Sequence, residues 1–408
     1  MRCGLLGEKL GHSYSPQIHS YLGNYSYSLF EKKPEELDDF FHSGDFDCIN
    51  VTIPYKKDVI PYCSELTECA KKLGSVNTIV RKADGSLIGH NTDFFGFRSM
   101  LLRMELDVAG KKALVLGSGG ASVTAVAVLK ELGANVVVIS RSGENNYSNL
   151  SLHKDASVIV NATPVGMYPN AGVSPVDLDL FPKLEGVLDI VYNPDRTRLI
   201  LDAEGRNIPA QNGLWMLVAQ AKESAEWFTS QKISDEVIGQ IYNSLQKQME
   251  NIVLVGMPAS GKSSVGRALA ATMGRPFYDS DDEIVKEAGM PIPAYFAAYG
   301  ETAFRDLESR VIARLSAEVS GAIIATGGGA VLRSENVDRL KGNGRLFWLD
   351  RSLDKLMPTA DRPLSSDREA LARRYEERYP IYQAVCDTRI DGDGAVDEVA
   401  NAVLTAFC

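Results

Sequence analysis

The chain has 408 residues, of which 45% are hydrophobic and 24% charged, and its formal net charge is −10 at pH 7. This length can hold two or three domains with cores of their own, and the composition excludes a collagen-like, wholly disordered or disulfide-rich chain. The negative charge argues against nucleic acid as a partner, and the lack of any apolar run of about 18 residues argues against a membrane-spanning helix.

Two features of the sequence indicate a cytoplasmic protein. The first residues, MRCGLLGEKLGHS, lack the apolar core of a signal peptide. The six cysteines are scattered, with no Cys-x-x-Cys motif and no metal-ligand spacing to the five histidines. We therefore expect free thiols in a reducing compartment.

The predicted elements, taken in chain order, describe an α/β protein. Residues 1–100 alternate short strand-like runs with helical stretches. Residues 111–140 then follow the order strand, glycine turn, helix and strand, which is the βαβ unit of a parallel sheet. The apolar runs at 157–163 and 186–192 predict two more buried parallel strands, and a helix around 213–229 can pack back on the first lobe.

A second part of the chain begins at about residue 251. The polar helical stretch 234–251 leads straight into the apolar strand 252–255, without a linker rich in proline, glycine or serine. At the same place the cationic residues change from mainly lysine to mainly arginine. We therefore expect two parts joined closely, helix to strand.

The glycine-rich turn GSGGAS follows a predicted strand and opens a helix, an arrangement that lets the backbone approach a pyrophosphate. At the end of the next strand, an NAD site would carry an acidic residue for the ribose hydroxyl, whereas this chain carries an arginine flanked by serines. That difference favours NADP over NAD. The candidate cofactor residues are Gly117, Gly119, Gly120, Ala121, Ser140 and Arg141.

Polar residues gather where the strands of the first hundred residues end. Ser13 and Ser15 lie two residues apart in HSYSP. Lys56 follows the strand in NVTIPYK, and Asp93 stands at a predicted helix start. Each alone is typical of a turn, a helix cap or the surface. Together, a lysine and an aspartate beside a nicotinamide site can supply the proton for redox chemistry between a carbonyl and an alcohol.

Residues 1 to about 247 resemble the shikimate dehydrogenase family. The matching segments are GHSYSP, INVTIPYK, GSVNTI, GHNTDFFG, GSGGAS, NATPVGM, DIVYNPDRTRL and NGLWMLVAQA. The resemblance implies that NADPH reduces a ring ketone while Lys56, held by Asp93, handles the proton. It also implies the substrate-binding residues: Ser13, Ser15 and Thr52 at the carboxylate, Asn77, Asp93 and Gln220 at the ring hydroxyls, and Tyr192 nearby.

The segment after Arg141 departs from that family, which usually carries another helix, and often a short strand, before the NATP segment. Only SGENNYSNLSLHKDA stands here. We therefore expect the sheet to be trimmed beside the adenosine end of the cofactor site.

The second part opens with a strand followed by GMPASGKS, which fits the P-loop pattern G-x-x-x-x-G-K-[ST]. Its backbone amides would cradle nucleotide phosphates, Lys262 would reach the β and γ oxygens, and Ser263 would bind Mg²⁺. ATP and Mg²⁺ are therefore predicted. The candidate nucleotide-binding residues are Gly256, Ala259, Ser260, Gly261, Lys262, Ser263 and Ser264.

Further segments of the second part could hold the phosphoryl acceptor. Asp279 and Asp281 follow the next strand, and TGGGAV offers a shelf of glycine backbone. Arg305 and Arg378 suit a carboxylate or a phosphate, because a guanidinium can bind either group bidentately.

Residues from 251 nearly to the end resemble the shikimate kinase family on these segments and on ADRPL. The resemblance implies that Asp281 orients the attacking hydroxyl and that Arg362 reaches the transferring phosphate. It implies that Asp279 serves the Mg²⁺ shell and that Glu308 supports Arg305. The shikimate-binding residues that it implies are Asp281, Arg305, Gly328, Gly329 and Arg378.

The leading hypothesis is a bifunctional enzyme of the shikimate pathway, which reduces 3-dehydroshikimate with NADPH and phosphorylates shikimate with ATP. We expect a substrate lobe at 1–100 with helices from about 213–247, a Rossmann-type NADP lobe at 101–212, and a P-loop kinase domain at 251–408. Three alternatives stay open: a first part that mainly binds substrate or scaffolds the kinase, a shikimate sensor without chemistry in either part, and quinate as an additional dehydrogenase substrate. The sequence leaves the oligomeric state open.

Overall fold

The computed structural model describes residues 1–11, 13–356 and 368–408. These residues form two compact units. The first unit comprises Met1–Val165, Ser174–Tyr192 and Leu199–Ser244, and the second comprises Gly166–Val173, Asn193–Arg198 and Leu245–Cys408. Among the described residues, no helix is both long and apolar enough to cross a lipid bilayer.

The first unit begins with a lobe built on a mixed sheet. Its elements are β1 (Arg2–Gly7), α1 (Ser15–Leu22), β2 (Ser26–Glu31), α2 (Leu37–Ser43), β3 (Cys48–Val51), β4 (Glu65–Leu66), α3 (Glu68–Leu73), β5 (Thr78–Arg81), β6 (Leu87–His90) and α4 (Asp93–Arg103). The strand order is β2-β1-β3-β5-β6-β4, and β5 runs antiparallel to both of its neighbours. Phe46 and Ile49 are fully buried beneath this sheet, and burial of each such side chain stabilises the fold by about 1.5–3 kcal/mol.

A second lobe of the first unit is built on a parallel sheet. Its elements are β7 (Lys112–Leu116), α5 (Gly120–Glu131), β8 (Asn135–Ile139), β9 (Val158–Asn161), β10 (Gly186–Asp189), α6 (Arg198–Glu204) and β11 (Ala210–Gln211). The strand order is β11-β10-β9-β7-β8, so that within the described residues β8 forms the edge of the sheet. This confirms the trimmed edge that the short segment after Arg141 predicts.

Two helices complete the predicted dehydrogenase part, α7 (Leu214–Thr229) and α8 (Glu236–Met249). Helix α7 packs on α4 and α1, which confirms that it returns to the first lobe. Its inner face is almost wholly buried, including Val218 and Ala225, which explains why an apolar stripe at helical spacing runs through this segment.

The second unit contains a parallel sheet with helices beside it. Its elements are β12 (Asn251–Val255), α9 (Lys262–Met273), β13 (Phe277–Asp279), α10 (Ser280–Ala288), α11 (Ile292–Glu318), β14 (Ile323–Ala325), α12 (Ser334–Gly342), β15 (Gly344–Asp350), α13 (Arg368–Val385), β16 (Thr388–Asp391) and α14 (Val396–Phe407). The strand order is β13-β14-β12-β15-β16. The predicted α/β class, with a two-lobed first part and a parallel sheet in the second, is confirmed.

The division into units differs in detail from the predicted boundaries. The units separate between Ser244 and Leu245, inside α8, rather than at the start of β12. Two short segments from the predicted NADP lobe, Gly166–Val173 and Asn193–Arg198, group with the second unit. Arg196 shows the reason, because its backbone N–H bonds to the Gly342 carbonyl at 2.8 Å and its guanidinium bonds to the Gly344 carbonyl at 2.8 Å.

Candidate active sites

A cavity of about 300 Å³ in the first unit brings together the residues predicted to bind the first substrate. Residues from both lobes line it, together with the first turn of α5. The predicted residues in its wall are Ser13, Ser15, Thr52, Lys56, Asn77, Asp93, Ala121, Tyr192 and Gln220. Asn50 also lines the cavity, and the motif analysis assigned it no role.

Lys56 and Asp93 form an ion pair in the wall of this cavity. Lys56 Nζ lies 2.6 Å from Asp93 Oδ2, and both side chains are largely buried. Asp93 Oδ1 accepts a hydrogen bond from Asn77 Nδ2 at 3.0 Å, and the Asp93 backbone N–H bonds to Asn91 Oδ1 at 3.0 Å. Because Asp93 is in the first turn of α4, the helix dipole favours its negative charge. The carboxylate is therefore fixed, and it holds the ammonium group in turn.

Hydroxyl groups also line the cavity, at Ser13, Ser15, Thr52 and Tyr192. Ser15 is buried at the start of α1, and its backbone N–H bonds to Ser13 Oγ at 3.2 Å. Thr52 directly follows β3, where its backbone N–H bonds to the Leu6 carbonyl at 2.9 Å. Burial raises the pKa of the Tyr192 phenol, which therefore stays a neutral hydrogen-bonding group. These uncharged donors suit an anionic group on a ligand.

The turn between β7 and α5 fits a dinucleotide. Gly117 has φ +105°, and a Cβ there would come within 2.9 Å of the Thr163 methyl group, so this position requires glycine. A Cβ at Gly119 or Gly120 would meet nothing within 4 Å, so the start of α5 is open to a ligand. The N-terminus of a helix with such an approach is suited to a pyrophosphate.

Ser140 and Arg141 follow β8 at the edge of the sheet, as predicted. The Ser140 backbone N–H bonds to the Asn145 carbonyl at 3.1 Å, so the chain turns back directly after the strand. Arg141 is exposed. Tyr147 was not predicted from the sequence. The nearby Arg141 charge lowers the pKa of its phenol, but burial has the larger effect and raises this pKa overall.

The P-loop of the second unit holds its lysine inside the loop. Lys262 Nζ is buried and donates to the Gly256 and Met257 carbonyls at 2.9 and 2.8 Å. Gly261 and Ala259 both have positive φ, of +90° and +65°, which shapes the concave backbone of the loop. Ser260 is buried behind it and Ser264 is exposed on the first turn of α9.

The oxygen atoms beside the P-loop fit a magnesium ion. Ser263 Oγ donates to Asp279 Oδ2 at 2.6 Å, so a hydroxyl and a carboxylate already lie together. Asp279 Oδ1 accepts from the Asp281 backbone N–H at 3.0 Å and thereby caps α10. Mg²⁺ prefers oxygen ligands of this kind and keeps several of its waters.

The predicted acceptor residues converge on the glycine segment 327–329. Arg378 Nη1 donates to the Gly328 carbonyl at 3.0 Å. A Cβ at Gly329 would come within 2.3 Å of Arg305 Nη1, and one at Gly327 within 2.7 Å of Asp281 Oδ1. The two guanidinium groups and the carboxylate therefore surround one backbone surface.

Two buried groups support these arginines. Glu308 is only 1% exposed and accepts from Arg305 Nη1 at 2.7 Å, as the sequence predicted, and burial raises the pKa of its carboxyl. Tyr382 donates to the Gly328 carbonyl at 2.6 Å, and burial raises its pKa to about 12. Sequence reasoning missed Tyr382, although it lies in the RYPIY segment that carries Arg378.

The remaining predictions concern other positions. Arg362 lies outside the described residues. The six cysteines are free thiols, as expected, and within the part of the chain that the structure describes no group of three or more His, Cys, Asp or Glu residues is placed to hold a metal.

Comparison with known proteins matches both parts of the chain. Residues 5–79 match the family model "Shikimate dehydrogenase substrate binding domain". The shikimate dehydrogenase (NADP(+)) of Clostridium beijerinckii is 33% identical over 268 residues, which cover 60% of this chain and 98% of that relative. The chain belongs to the shikimate dehydrogenase family. Residues 258–407 match the family model "Shikimate kinase", so the shikimate dehydrogenase is fused to a C-terminal shikimate kinase domain.

Solved structures agree with this assignment. A chorismate mutase/shikimate 5-dehydrogenase fusion protein from Clostridium acetobutylicum is 37% identical, with a TM-score of 0.57, over 60% of this chain and 97% of its own. The Thermus thermophilus shikimate 5-dehydrogenase, solved with NADP(H) and shikimate, is 28% identical, with a TM-score of 0.55, over 60% of this chain and 99% of its own.

Proposed function

We propose that this shikimate dehydrogenase–kinase fusion catalyses two consecutive reactions. The first unit reduces 3-dehydroshikimate to shikimate with NADPH, and the second phosphorylates the new 3-hydroxyl of shikimate with ATP. The observation that carries the first reaction is the Lys56–Asp93 pair, 2.6 Å apart in the wall of a cavity that reaches the dinucleotide turn. The second reaction rests on the P-loop match and on the arginines around segment 327–329.

In the dehydrogenase, Lys56 is the proton donor. When bound, NADPH supplies the hydride that the ketone carbon receives. The Lys56 ammonium group donates a proton to the carbonyl oxygen, which becomes the 3-hydroxyl, and the ammonium is reprotonated from solvent. Asp93 keeps Lys56 in place, because its second oxygen is anchored by Asn77.

The uncharged hydroxyls orient the substrate for this transfer. Ser13, Ser15 and Thr52 would bind the carboxylate, since they are hydroxyl donors in the cavity wall. Asn77 and Gln220, in the same wall, would bind ring hydroxyls. These contacts would hold the ketone against Lys56, and such positioning can lower the reaction barrier by several kcal/mol.

NADP is the proposed nucleotide on the strength of Arg141, an exposed arginine at the end of β8. A guanidinium there would bind the 2′-phosphate of NADP and has no equivalent partner in NAD. The Thermus thermophilus relative was solved with NADP(H), which supports the same choice.

In the kinase, positioning and charge carry the reaction. Arg305 and Arg378 would hold the shikimate carboxylate, and Asp281 would orient the attacking 3-hydroxyl. Lys262 would leave the loop carbonyls to meet the nucleotide phosphates, while Ser263 and Asp279 would hold Mg²⁺, which neutralises phosphate charge when bound. The role of Arg362 stays a prediction from the sequence.

Separate assays of the full chain test the two assignments. Lys56→Ala should abolish 3-dehydroshikimate reduction and leave shikimate phosphorylation unchanged, and Lys262→Ala should do the reverse. Lys57 and Lys286 are exposed lysines of the same two units and offer matched controls, because their alanine variants should retain both activities. Loss of both activities in either catalytic variant would contradict the assignment of separate sites.

A further inference from the structure

A cluster of buried hydroxyl and amide groups lies behind the wall of the dehydrogenase cavity, with Ser224 at its centre. Ser224, on α7, is fully buried one turn after Gln220. Its Oγ lies 2.7 Å from Asn50 Nδ2 and 3.1 Å from the Oγ1 atoms of both Thr78 and Thr92. Ser224 Oγ also donates to the Gln220 carbonyl at 2.9 Å. One hydroxyl therefore ties α7 to β3, β5 and the residue that precedes α4.

The cluster continues to the residues that hold the proton donor. Thr92 and Thr78 fix the Asn77 amide, because Asn77 Oδ1 accepts from the Thr92 backbone N–H at 2.8 Å and from Thr78 Oγ1 at 3.0 Å. Asn77 Nδ2 can therefore face only Thr92 Oγ1, at 3.1 Å, and Asp93 Oδ1, at 3.0 Å. Since Asp93 binds Lys56, the orientation of the catalytic pair depends on this amide.

In the other direction the cluster reaches Asn50, which itself lines the cavity. Asn50 Oδ1 accepts a hydrogen bond from the Tyr27 hydroxyl at 2.8 Å, and its Nδ2 donates to Ser224 Oγ at 2.7 Å. The contact with Ser224 therefore fixes which way the Asn50 amide faces. Two residues of the cavity wall, Asn50 and Asn77, are thus linked through the Ser224 hydroxyl.

We propose that Ser224 is a positioning residue for the dehydrogenase reaction. Its hydroxyl holds Asn50 and Thr92 in place, so that Asn77 Nδ2 faces Asp93 and Asn50 Oδ1 faces Tyr27. The hydroxyl is fully buried behind the cavity wall and acts at low dielectric, where a lost partner for a buried donor is costly. The inference rests on the proposed dehydrogenase function. It adds to that function a residue that the sequence shows only as a serine on a buried helix face.

Kinetics of Ser224→Ala in the full chain test this role. We expect kcat for 3-dehydroshikimate reduction to fall about tenfold and KM for 3-dehydroshikimate to rise severalfold. KM for NADPH and the kinase kcat/KM for shikimate should not change. Thr229→Ala is the matched control and should behave as wild type. The Thr229 hydroxyl lies on the same helix, and within the part of the chain that the structure describes it bonds only to the Ala225 carbonyl and the Gln231 backbone N–H.

The outcomes separate this proposal from the proposed function. A dehydrogenase kcat/KM within twofold of wild type for Ser224→Ala would overturn the positioning role. A fall in kcat that is proportional to the folded fraction measured by circular dichroism, with KM unchanged, would also overturn the positioning role. If Ser224→Ala does not fold, Ser224→Cys carries the same test, with a smaller expected loss of kcat, and unchanged kinetics would overturn the role. Failure of the wild-type chain to reduce 3-dehydroshikimate would instead refute the dehydrogenase function itself.

Discussion

Replacing Glu308 by glutamine removes the buried charge that faces the Arg305 guanidinium. Glu308 is 1% exposed and bonds to Arg305 Nη1 at 2.7 Å. Arg305 has a second acidic partner, Glu301, at 3.3 Å, which is 53% exposed. The two carboxylates therefore contact the same guanidinium from a buried and an exposed side, and this allows a matched comparison.

The expected magnitude follows from burial. A hydrogen bond to a charged group contributes about 1.5–3 kcal/mol when buried, and an exposed ion pair contributes about 0–1 kcal/mol. Glutamine keeps one acceptor oxygen, so the loss lies at the lower end of the first range. With tenfold for each 1.36 kcal/mol, Glu308→Gln should reduce the kinase kcat/KM for shikimate about ten- to thirtyfold, and Glu301→Gln less than about fivefold.

The assay is ATP-dependent phosphorylation of shikimate by the full chain, with 3-dehydroshikimate reduction as the internal control for intact protein. We expect the loss to appear mainly as a higher KM for shikimate, because Glu308 orients Arg305 rather than the nucleotide. Equal losses in the two variants would refute the reasoning from burial. A lower KM in Glu308→Gln would refute the positioning role, since it would mean that Glu308 competes with the substrate carboxylate for Arg305.

Four further predictions follow from the structure. Arg141→Ala should raise KM for NADP at least tenfold and leave KM for NAD nearly unchanged; an equal rise for both would contradict the 2′-phosphate assignment. Ser263→Ala should require more Mg²⁺ for half-maximal kinase activity while dehydrogenase kinetics stay constant; an unchanged Mg²⁺ titration would contradict its role as a ligand. Ala259 has φ +65°, a left-handed conformation that glycine adopts more easily than alanine. Ala259→Gly should therefore leave the unfolding free energy of the second unit unchanged, or raise it by up to about 1 kcal/mol, in a urea titration. A loss above about 1 kcal/mol would contradict this prediction. Burial raises the pKa of Glu308 above its ordinary 4.5, so the folded chain binds this proton more tightly than the unfolded chain. The unfolding free energy of wild type relative to Glu308→Gln should therefore fall as the pH rises from 4.5, and a rise would contradict the sign.

The groups that could be predicted best are those whose chemistry depends on a local pattern of residues in the sequence. A strand, a glycine turn and a helix identify the P-loop, and the structure has Lys262 as the first residue of that helix. Lys56 and Asp93 are 37 residues apart, yet the chemistry of a nicotinamide site indicated their pairing, and the structure places them 2.6 Å apart. The position of β8 at the sheet edge was predictable because the connection after Arg141 is shorter than is usual in the family.

Groups that depend on tertiary packing were not predictable. Ser224 meets Asn50 only because α7 returns to the first lobe, 174 residues along the chain. Asn50 lies in the INVTIPYK segment, yet no pattern in the sequence assigns a role to either residue. Tyr382 faces the Gly328 carbonyl across 54 residues, and its sequence context gives the same apolar signal as a core tyrosine. The grouping of Asn193–Arg198 with the second unit likewise depends on backbone hydrogen bonds that carry no sequence pattern.

The most direct test of the central claim is one coupled reaction with the purified full chain, 3-dehydroshikimate, NADPH and ATP with Mg²⁺. NADPH oxidation is followed by absorbance, and shikimate and shikimate 3-phosphate are quantified by mass spectrometry. We predict that shikimate 3-phosphate accumulates with one NADPH and one ATP consumed per molecule. Omission of ATP should stop the reaction at shikimate, and omission of NADPH should stop both steps. NADPH oxidation without any phosphorylated product, or no NADPH oxidation at all, would contradict the assignment of two consecutive reactions.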